Sequence, residues 1–100
     1  MTICYVEDDE NISQAVKEFL EEQGYKVLVF ATIVCAQKAL KGECPALMLI
    51  DWNLPDGNGT RLCRWVRSNF KELPIIFLTV RGDSKDIVEG FQNGADDYVV

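Results

Sequence analysis

The sequence of 100 residues contains no histidine, and its basic side chains are few. Without histidine, neither a Ser-His-Asp nor a Cys-His catalytic group can form within the chain, and zinc loses its commonest nitrogen ligand. Lys and Arg number 10 against 16 Asp and Glu, so the formal net charge is −6. Because nucleic-acid-binding domains typically carry a basic patch, this charge argues against direct contact with nucleic acid.

Long apolar runs and paired cysteines are also lacking. No run approaches the roughly 20 residues that span a bilayer, and the start, MTICYVEDD, has neither the basic region nor the apolar core of a signal peptide. The four cysteines include no C-x-x-C pair, which favours reduced thiols over the alternatives of a metal or disulfide set. We therefore expect a cytoplasmic chain that makes no membrane contact.

The sequence does have enough apolar residues for one packed domain, at 48% of its length. Apolar residues at the spacing i, i+3, i+4, i+7 and i+8 mark one helix face at 10–22. Segments 45–50 and 74–79 are apolar almost throughout, which is typical of parallel strands covered on both sides. We predict five strands and four helices, the strands at 2–6, 26–30, 45–50, 74–79 and 97–100, and the helices at 10–22, about 33–41, 59–69 and 84–92.

These elements alternate along the chain as βαβαβαβαβ with short connections. This order predicts an α/β fold of three layers, in which helices cover both faces of a parallel sheet. Right-handed crossovers then leave few possible topologies.

Carboxylates follow the predicted strands at the end where such sheets bind ligands. Glu7 and Asp8 follow the first strand, Asp51 follows the third, and Thr79 ends the fourth. If the first and third strands are neighbours, Asp8 and Asp51 lie about 5 Å apart. Like charges at that distance repel unless a cation intervenes, and Mg²⁺ suits a site with few carboxylates.

Two further acidic residues have simpler interpretations. Asp9 stands where the first helix begins, and we interpret it as a helix cap. Asp56 belongs to a Pro-Asp-Gly sequence, and we interpret it as a turn residue.

Four motifs together resemble the receiver domain of bacterial two-component response regulators. They are YVEDDENI at 5–12, LIDWNLPDGNG at 49–59, PIIFLTVRGD at 74–83 and GADDYVV at 94–100. LTVRGD and GADDYVV are most similar to the OmpR/PhoB-like subfamily, whose output is a winged-helix DNA-binding domain. The resemblance implies a flavodoxin-like, doubly wound sheet with strand order 2-1-3-4-5, here without the family's final helix.

The resemblance also implies a role for each matching residue of a magnesium site. Asp51 matches the phosphoacceptor, which takes a phosphoryl group from a phosphohistidine of a sensor kinase. Asp8 matches a direct Mg²⁺ ligand, and Glu7 matches its acidic partner, acting through water. Asn53 matches the position whose backbone carbonyl completes the metal shell.

Three more positions match the family's response to phosphorylation. Thr79 matches the switch hydroxyl that turns toward the phosphoryl group, and Tyr98 matches the switch aromatic that packs inward when the hydroxyl moves. Val80 matches a position whose backbone N–H contacts a phosphoryl oxygen.

The resemblance covers residues 1–100 as one receiver domain that is incomplete at its C-terminal end. The family's lysine and proline would follow Val100, so we expect either a fragment of a longer regulator or a natural stub. The implied partners are a sensor histidine kinase and a DNA-binding output domain, its own or separate, outside these residues. Apolar surface left by the missing helix would favour a homodimer, a swapped assembly or lowered stability.

Two other functions stay open at this point. One is a receiver-like interaction module that never takes phosphate. The other is a nucleotide- or flavin-binding domain of the same topology, although its first loop would need glycine or hydroxyl residues rather than the acids at 7–9.

Overall fold

A five-stranded parallel sheet with strand order β2-β1-β3-β6-β7 forms the centre of the protein. The structure is a computed structural model that describes residues 1–78 and 97–99. The sheet strands are β1 (Thr2–Val6), β2 (Lys26–Phe30), β3 (Leu47–Ile50), β6 (Ile75–Leu78) and β7 (Asp97–Val99), and a separate two-stranded hairpin is formed by β4 (Asn53–Leu54) and β5 (Gly57–Asn58). The helices within the described residues are α1 (Glu10–Glu22), α2 (Ile33–Gly42) and α3 (Gly59–Asn69).

Counted within the sheet alone, this order is the predicted 2-1-3-4-5, and the flavodoxin-like α/β prediction is confirmed. Apolar residues of α2 and α3 pack on one face of the sheet, and apolar residues of α1 pack on the other. This arrangement follows from right-handed crossovers, because the chain reverses its winding direction once, after β2.

Side-chain caps explain why the helix boundaries agree with the sequence. Asp9 is the N-cap of α1, and its Oδ1 accepts hydrogen bonds from the N–H groups of Asn11 and Ile12 at 2.9 and 3.2 Å. Thr32 caps α2 by accepting from the N–H of Cys35 at 3.1 Å. The predicted cap role of Asp9 is therefore confirmed.

The predicted starts of two strands are wrong. The strand expected at 45–50 begins at Leu47, and the strand expected at 74–79 begins at Ile75. Each of these segments opens with a proline, Pro45 or Pro74, which has no N–H for the ladder. The short β4–β5 hairpin was not predicted from the sequence. The helix expected at 84–92 lies outside the described residues.

Among residues 1–78, the two faces of the sheet are packed unequally. The α2/α3 side holds the larger cluster of buried residues, namely Cys4, Val6, Ile33, Ala36, Leu40, Met48, Ile50, Trp52, Leu54, Leu62, Cys63, Val66, Leu73, Ile75 and Phe77. On the α1 side a smaller cluster is centred on Ile3 and Tyr5, with Val16 and Leu20 of α1 partly buried against it. Phe19, on the same apolar face of α1, is 61% exposed.

None of the three described helices has both the length and the apolar character that crossing a bilayer requires.

Candidate functional site

The pairing of β1 with β3 determines which side chains meet at the carboxyl edge of the sheet. Val6 lies opposite Ile50, so Glu7 and Asp51 are each the next residue beyond the paired strands. The Asp51 N–H donates to the carbonyl of Val6, and the Glu7 N–H donates to the carbonyl of Phe30 in β2, both at 3.0 Å. The backbone thus continues the sheet hydrogen bonding up to the acidic residues.

Glu7, Asp8 and Asp51 form an acidic cluster at this edge. One carboxylate oxygen from each residue lies within 4.8 Å of the other two. Glu7 is buried, Asp51 is partly buried, and Asp8 is exposed to solvent. The structure therefore brings together the three side chains that the sequence singled out as metal ligands.

Electrostatics at the cluster favour binding of a cation. The pKa of Glu7 is raised to about 7, first by burial and then by the negative charge of Asp51, against a weaker opposing hydrogen bond from the Asp9 N–H at 3.4 Å. A hard divalent cation would offset this repulsion, and Mg²⁺ prefers oxygen ligands of this kind. The residues present therefore fit a magnesium ion.

The loop after Asp51 is held by close backbone contacts. Oδ1 of Asp51 accepts a hydrogen bond from the N–H of Trp52 at 2.9 Å, and the buried Trp52 ring lies 5.5 Å from that of Phe77. The N–H of Gly59 donates to the carbonyl of Trp52 at 2.6 Å. A Cβ at Gly59 would overlap the backbone carbonyl oxygen of Asp51, so a glycine is required at this position.

The end of this loop caps the following helix. Asn58 is the N-cap of α3, and its Oδ1 accepts hydrogen bonds from the N–H and the hydroxyl of Thr60 at 2.8 and 2.9 Å. The backbone that carries Asp51 is therefore anchored to α3.

Asp56 has a role that sequence reasoning missed. It lies in the turn between β4 and β5, as expected, but its two oxygens also accept hydrogen bonds from the N–H groups of Ile33 and Val34 at 2.9 and 3.1 Å. Burial by itself would raise the pKa of Asp56, but these hydrogen bonds outweigh burial and lower it. No local spacing signals this contact, because 22 and 23 residues separate the partners.

The remaining predicted site residues are placed only in part. The side chain of Asn53 is exposed at the start of β4, and its carbonyl as a metal ligand stays a prediction. Thr79 and Val80 lie outside the described residues. The backbone of Tyr98 pairs with Phe77 in the sheet, while its side chain is outside the described part of the structure.

Comparisons with known proteins agree with this fold and site. The sequence profile of the response regulator receiver domain matches residues 3–100. The chain is 40% identical over 100 residues to the phosphate regulon transcriptional regulatory protein PhoB of Rhizobium meliloti, an alignment that covers 98% of this chain and 44% of PhoB. It is 35% identical over 98 residues to the transcriptional regulatory protein CreB of Escherichia coli, covering 98% of this chain and 43% of CreB.

Solved structures show the same similarity. The BeF3-activated receiver domain of Klebsiella pneumoniae RstA has a TM-score of 0.94 at 29% identity, covering 99% of this chain and 84% of that one. The non-phosphorylated receiver domain of Leptospira biflexa HemR has a TM-score of 0.90 at 35% identity, covering 98% and 79%.

The chain spans less than half the length of these curated relatives. The relatives confirm the predicted OmpR/PhoB-like character, and receivers of this kind are regulatory phosphoacceptor domains of two-component signalling rather than enzymes. The profile match over residues 3–100, together with the sheet order and the acidic cluster, shows that this chain belongs to the response regulator receiver domain family.

Proposed function

We propose that Asp51 accepts a phosphoryl group from a phosphohistidine of a sensor kinase in a magnesium-dependent reaction. The observation that carries this proposal is the acidic cluster, in which Glu7 and Asp8 lie beside Asp51 at the carboxyl edge of a receiver sheet.

The chemistry is transfer of one phosphoryl group between two side chains. An oxygen of Asp51 forms the new O–P bond while the P–N bond to the kinase histidine breaks, and the imidazole leaves. When bound, Mg²⁺ supplies charge neutralisation and orients the phosphoryl oxygens. Asp8, Asp51, the carbonyl of Asn53 and, through water, Glu7 would hold the ion, while the Trp52 N–H donates to Oδ1 of Asp51 and orients it.

The proposed response to phosphorylation involves three residues outside the acidic cluster. The product carries about two negative charges at Asp51, where the free carboxylate carries one. The Thr79 hydroxyl and the Val80 N–H would then donate charge-assisted hydrogen bonds to the phosphoryl group. Movement of Thr79 would let the Tyr98 side chain pack inward. Phosphorylation of Asp51 would in this way change the surface of the domain around Tyr98.

The proposed setting is a cytoplasmic regulator of transcription. Residues 1–100 would form its receiver domain, and a DNA-binding output domain would lie elsewhere, on the same protein or a separate one. The names of PhoB and CreB support the link to transcription, and the net charge of −6 supports a domain that leaves DNA contact to its partner.

The test is intact mass after incubation with a small-molecule phosphodonor, with and without Mg²⁺. We expect a gain of one phosphoryl group that requires Mg²⁺ and disappears in Asp51→Asn. Glu22→Gln, which removes an exposed carboxylate of α1 remote from the cluster, is the matched control and should still gain the group. No gain in the parent chain would contradict the proposal and favour a receiver-like interaction module.

A further inference from the structure

Asp56 joins the loop that follows Asp51 to a helix distant in sequence. Its Oδ1 and Oδ2 accept hydrogen bonds from Ile33 and Val34, the first two residues of α2, while Thr32 accepts the next one from Cys35. These N–H groups are among the four that every helix leaves unpaired at its start, where a negative charge is also favourable. Thr32 is therefore a local cap, whereas Asp56 caps the same helix from across the fold.

The position of Asp56 allows it to control the geometry of the hairpin. It lies in the turn that joins β4 to β5, and Asn53 pairs with Asn58 at the base of that hairpin. At Gly57 the backbone has φ of +153°, and an added Cβ would lie 3.1 Å from Cδ1 of Ile33. The tip of the hairpin is thus packed closely against the first residue of α2.

The other end of the loop is already fixed without Asp56. Asn58 caps α3, and Gly59 lies so close to the backbone of Asp51 that a Cβ would not fit between them. Loss of the Asp56 contacts would therefore loosen the hairpin and the Asn53 backbone while leaving the anchor at α3 in place.

We propose that Asp56 is a positioning residue for the magnesium site, because its two hydrogen bonds to α2 hold the hairpin that presents the Asn53 carbonyl. The inference rests on the proposed function, in which that carbonyl is a metal ligand. Asp56 is not itself a ligand, because the acidic cluster among the described residues consists of Glu7, Asp8 and Asp51. Outer groups that orient metal ligands typically change metal affinity 10–100-fold when removed.

The experiment compares Asp56→Ala with Thr32→Ala by titrating Mg²⁺ into each chain. Both variants remove a cap from the start of α2, but only Asp56→Ala releases the hairpin. Calorimetry gives the Mg²⁺ Kd, and fluorescence of Trp52, which adjoins Asp51, gives a second readout. We expect Asp56→Ala to raise the Kd about tenfold. Thr32→Ala should leave it within about twofold of the parent, with a comparable loss of thermal stability.

Asp56→Asn provides the conservative test. The amide keeps one acceptor oxygen for Ile33 or Val34, so its Kd should fall between those of the parent and Asp56→Ala. An unchanged Kd in Asp56→Ala would overturn the positioning role, as would an equal rise in Thr32→Ala, which would make the effect one of helix stability alone. A parent chain that binds no Mg²⁺ would overturn it as well.

Phosphoryl acceptance, measured on the same samples, separates this inference from the proposed function. A parent chain that binds Mg²⁺ but gains no phosphoryl group would contradict phosphoacceptor function, while the Kd comparison would still decide the role of Asp56.

Discussion

Burial divides the four cysteines into two pairs. Cys4 and Cys63 are buried, Cys35 and Cys44 are exposed, and none of the four forms a disulfide, as the sequence predicted. Burial raises the pKa of the Cys4 thiol to about 12, and the thiolate is the reactive form. The fold therefore protects Cys4 both by limiting access and by suppressing its ionisation.

We predict that an alkylating reagent at pH 8 labels Cys35 and Cys44 in the folded chain and leaves Cys4 and Cys63 unlabelled. Peptide mass mapping gives the labelled fraction at each site, and the same reaction in denaturant is the control in which all four react. Because burial raises the pKa of Cys4 in the folded chain, ionisation of this thiol leaves the free energy of unfolding unchanged below about pH 9. As pH rises from there toward 12, the unfolded chain loses this proton first, and the free energy of unfolding falls. Rapid labelling of Cys4 without denaturant would contradict the burial described above.

The acidic cluster could be predicted from sequence, whereas the second role of Asp56 could not. Glu7, Asp8 and Asp51 each follow a strand, and parallel strands bring their carboxyl ends to one edge. The contact of Asp56 with α2 depends instead on the precise path of a hairpin that crosses to another element. The spacing of residues along the sequence does not indicate where such a hairpin will lie.

At the scale of elements, the loop at 51–59 requires glycine at position 59, because the backbone there lies close to that of Asp51. We predict that Gly59→Ala destabilises the chain by about 2 kcal/mol or more, because the added Cβ meets backbone that has little room to move. Gly42→Ala is the matched control. Its Cβ would meet nothing within 4 Å, and alanine improves helix propensity by up to about 1 kcal/mol.

Chemical denaturation of both variants gives the comparison. Equal stability of Gly59→Ala and the parent would mean that the loop is wider than described. The Mg²⁺ Kd of Gly59→Ala should rise as well, since the shifted backbone carries Asp51 itself.

The boundaries of the helices are easier to predict from the sequence than those of the strands, because side-chain caps mark where helices begin. α1 and α3 begin after Asp9 and Asn58, side chains that cap helices by a local contact and so mark their own position. The start of β3 depends on which backbone groups reach a neighbouring strand, and Pro45 breaks that pattern without changing the apolar character of the segment. The β4–β5 hairpin has a turn signal in Pro-Asp-Gly, but its strands of two residues are too short for periodicity to reveal.

At the scale of the whole molecule, one face of the sheet is packed more extensively than the other within the part of the chain that the structure describes. An apolar groove on the α1 side is lined by Ala15, Val16, Phe19, Leu20, Leu49, Ile76 and Leu78. Helical periodicity marked the correct face of α1, but it could not tell how much of that face other residues cover. The expected self-association of the chain, which this groove would serve, stays a prediction.

The unequal faces predict unequal costs of truncation. Leu62 is fully buried on the α2/α3 side, so Leu62→Ala should cost about 3–5 kcal/mol in free energy of unfolding. Phe19→Ala removes a larger side chain that is 61% exposed, and it should cost less than about 1 kcal/mol. Denaturant midpoints at low protein concentration measure both, and a larger loss for Phe19→Ala would mean that the groove is covered in solution.

The strand β2 has a neighbouring strand on one side only, because within the described residues it lies at the edge of the sheet next to β1. Its outer backbone amides therefore form a template to which a strand of another chain could add, and Leu28 is 36% exposed there. Two features oppose such aggregation, the charge of Lys26 and the length of only five residues. The solubility of concentrated samples of this protein thus depends in part on Lys26 and on the brevity of β2, features of the edge of the sheet rather than of the acidic cluster.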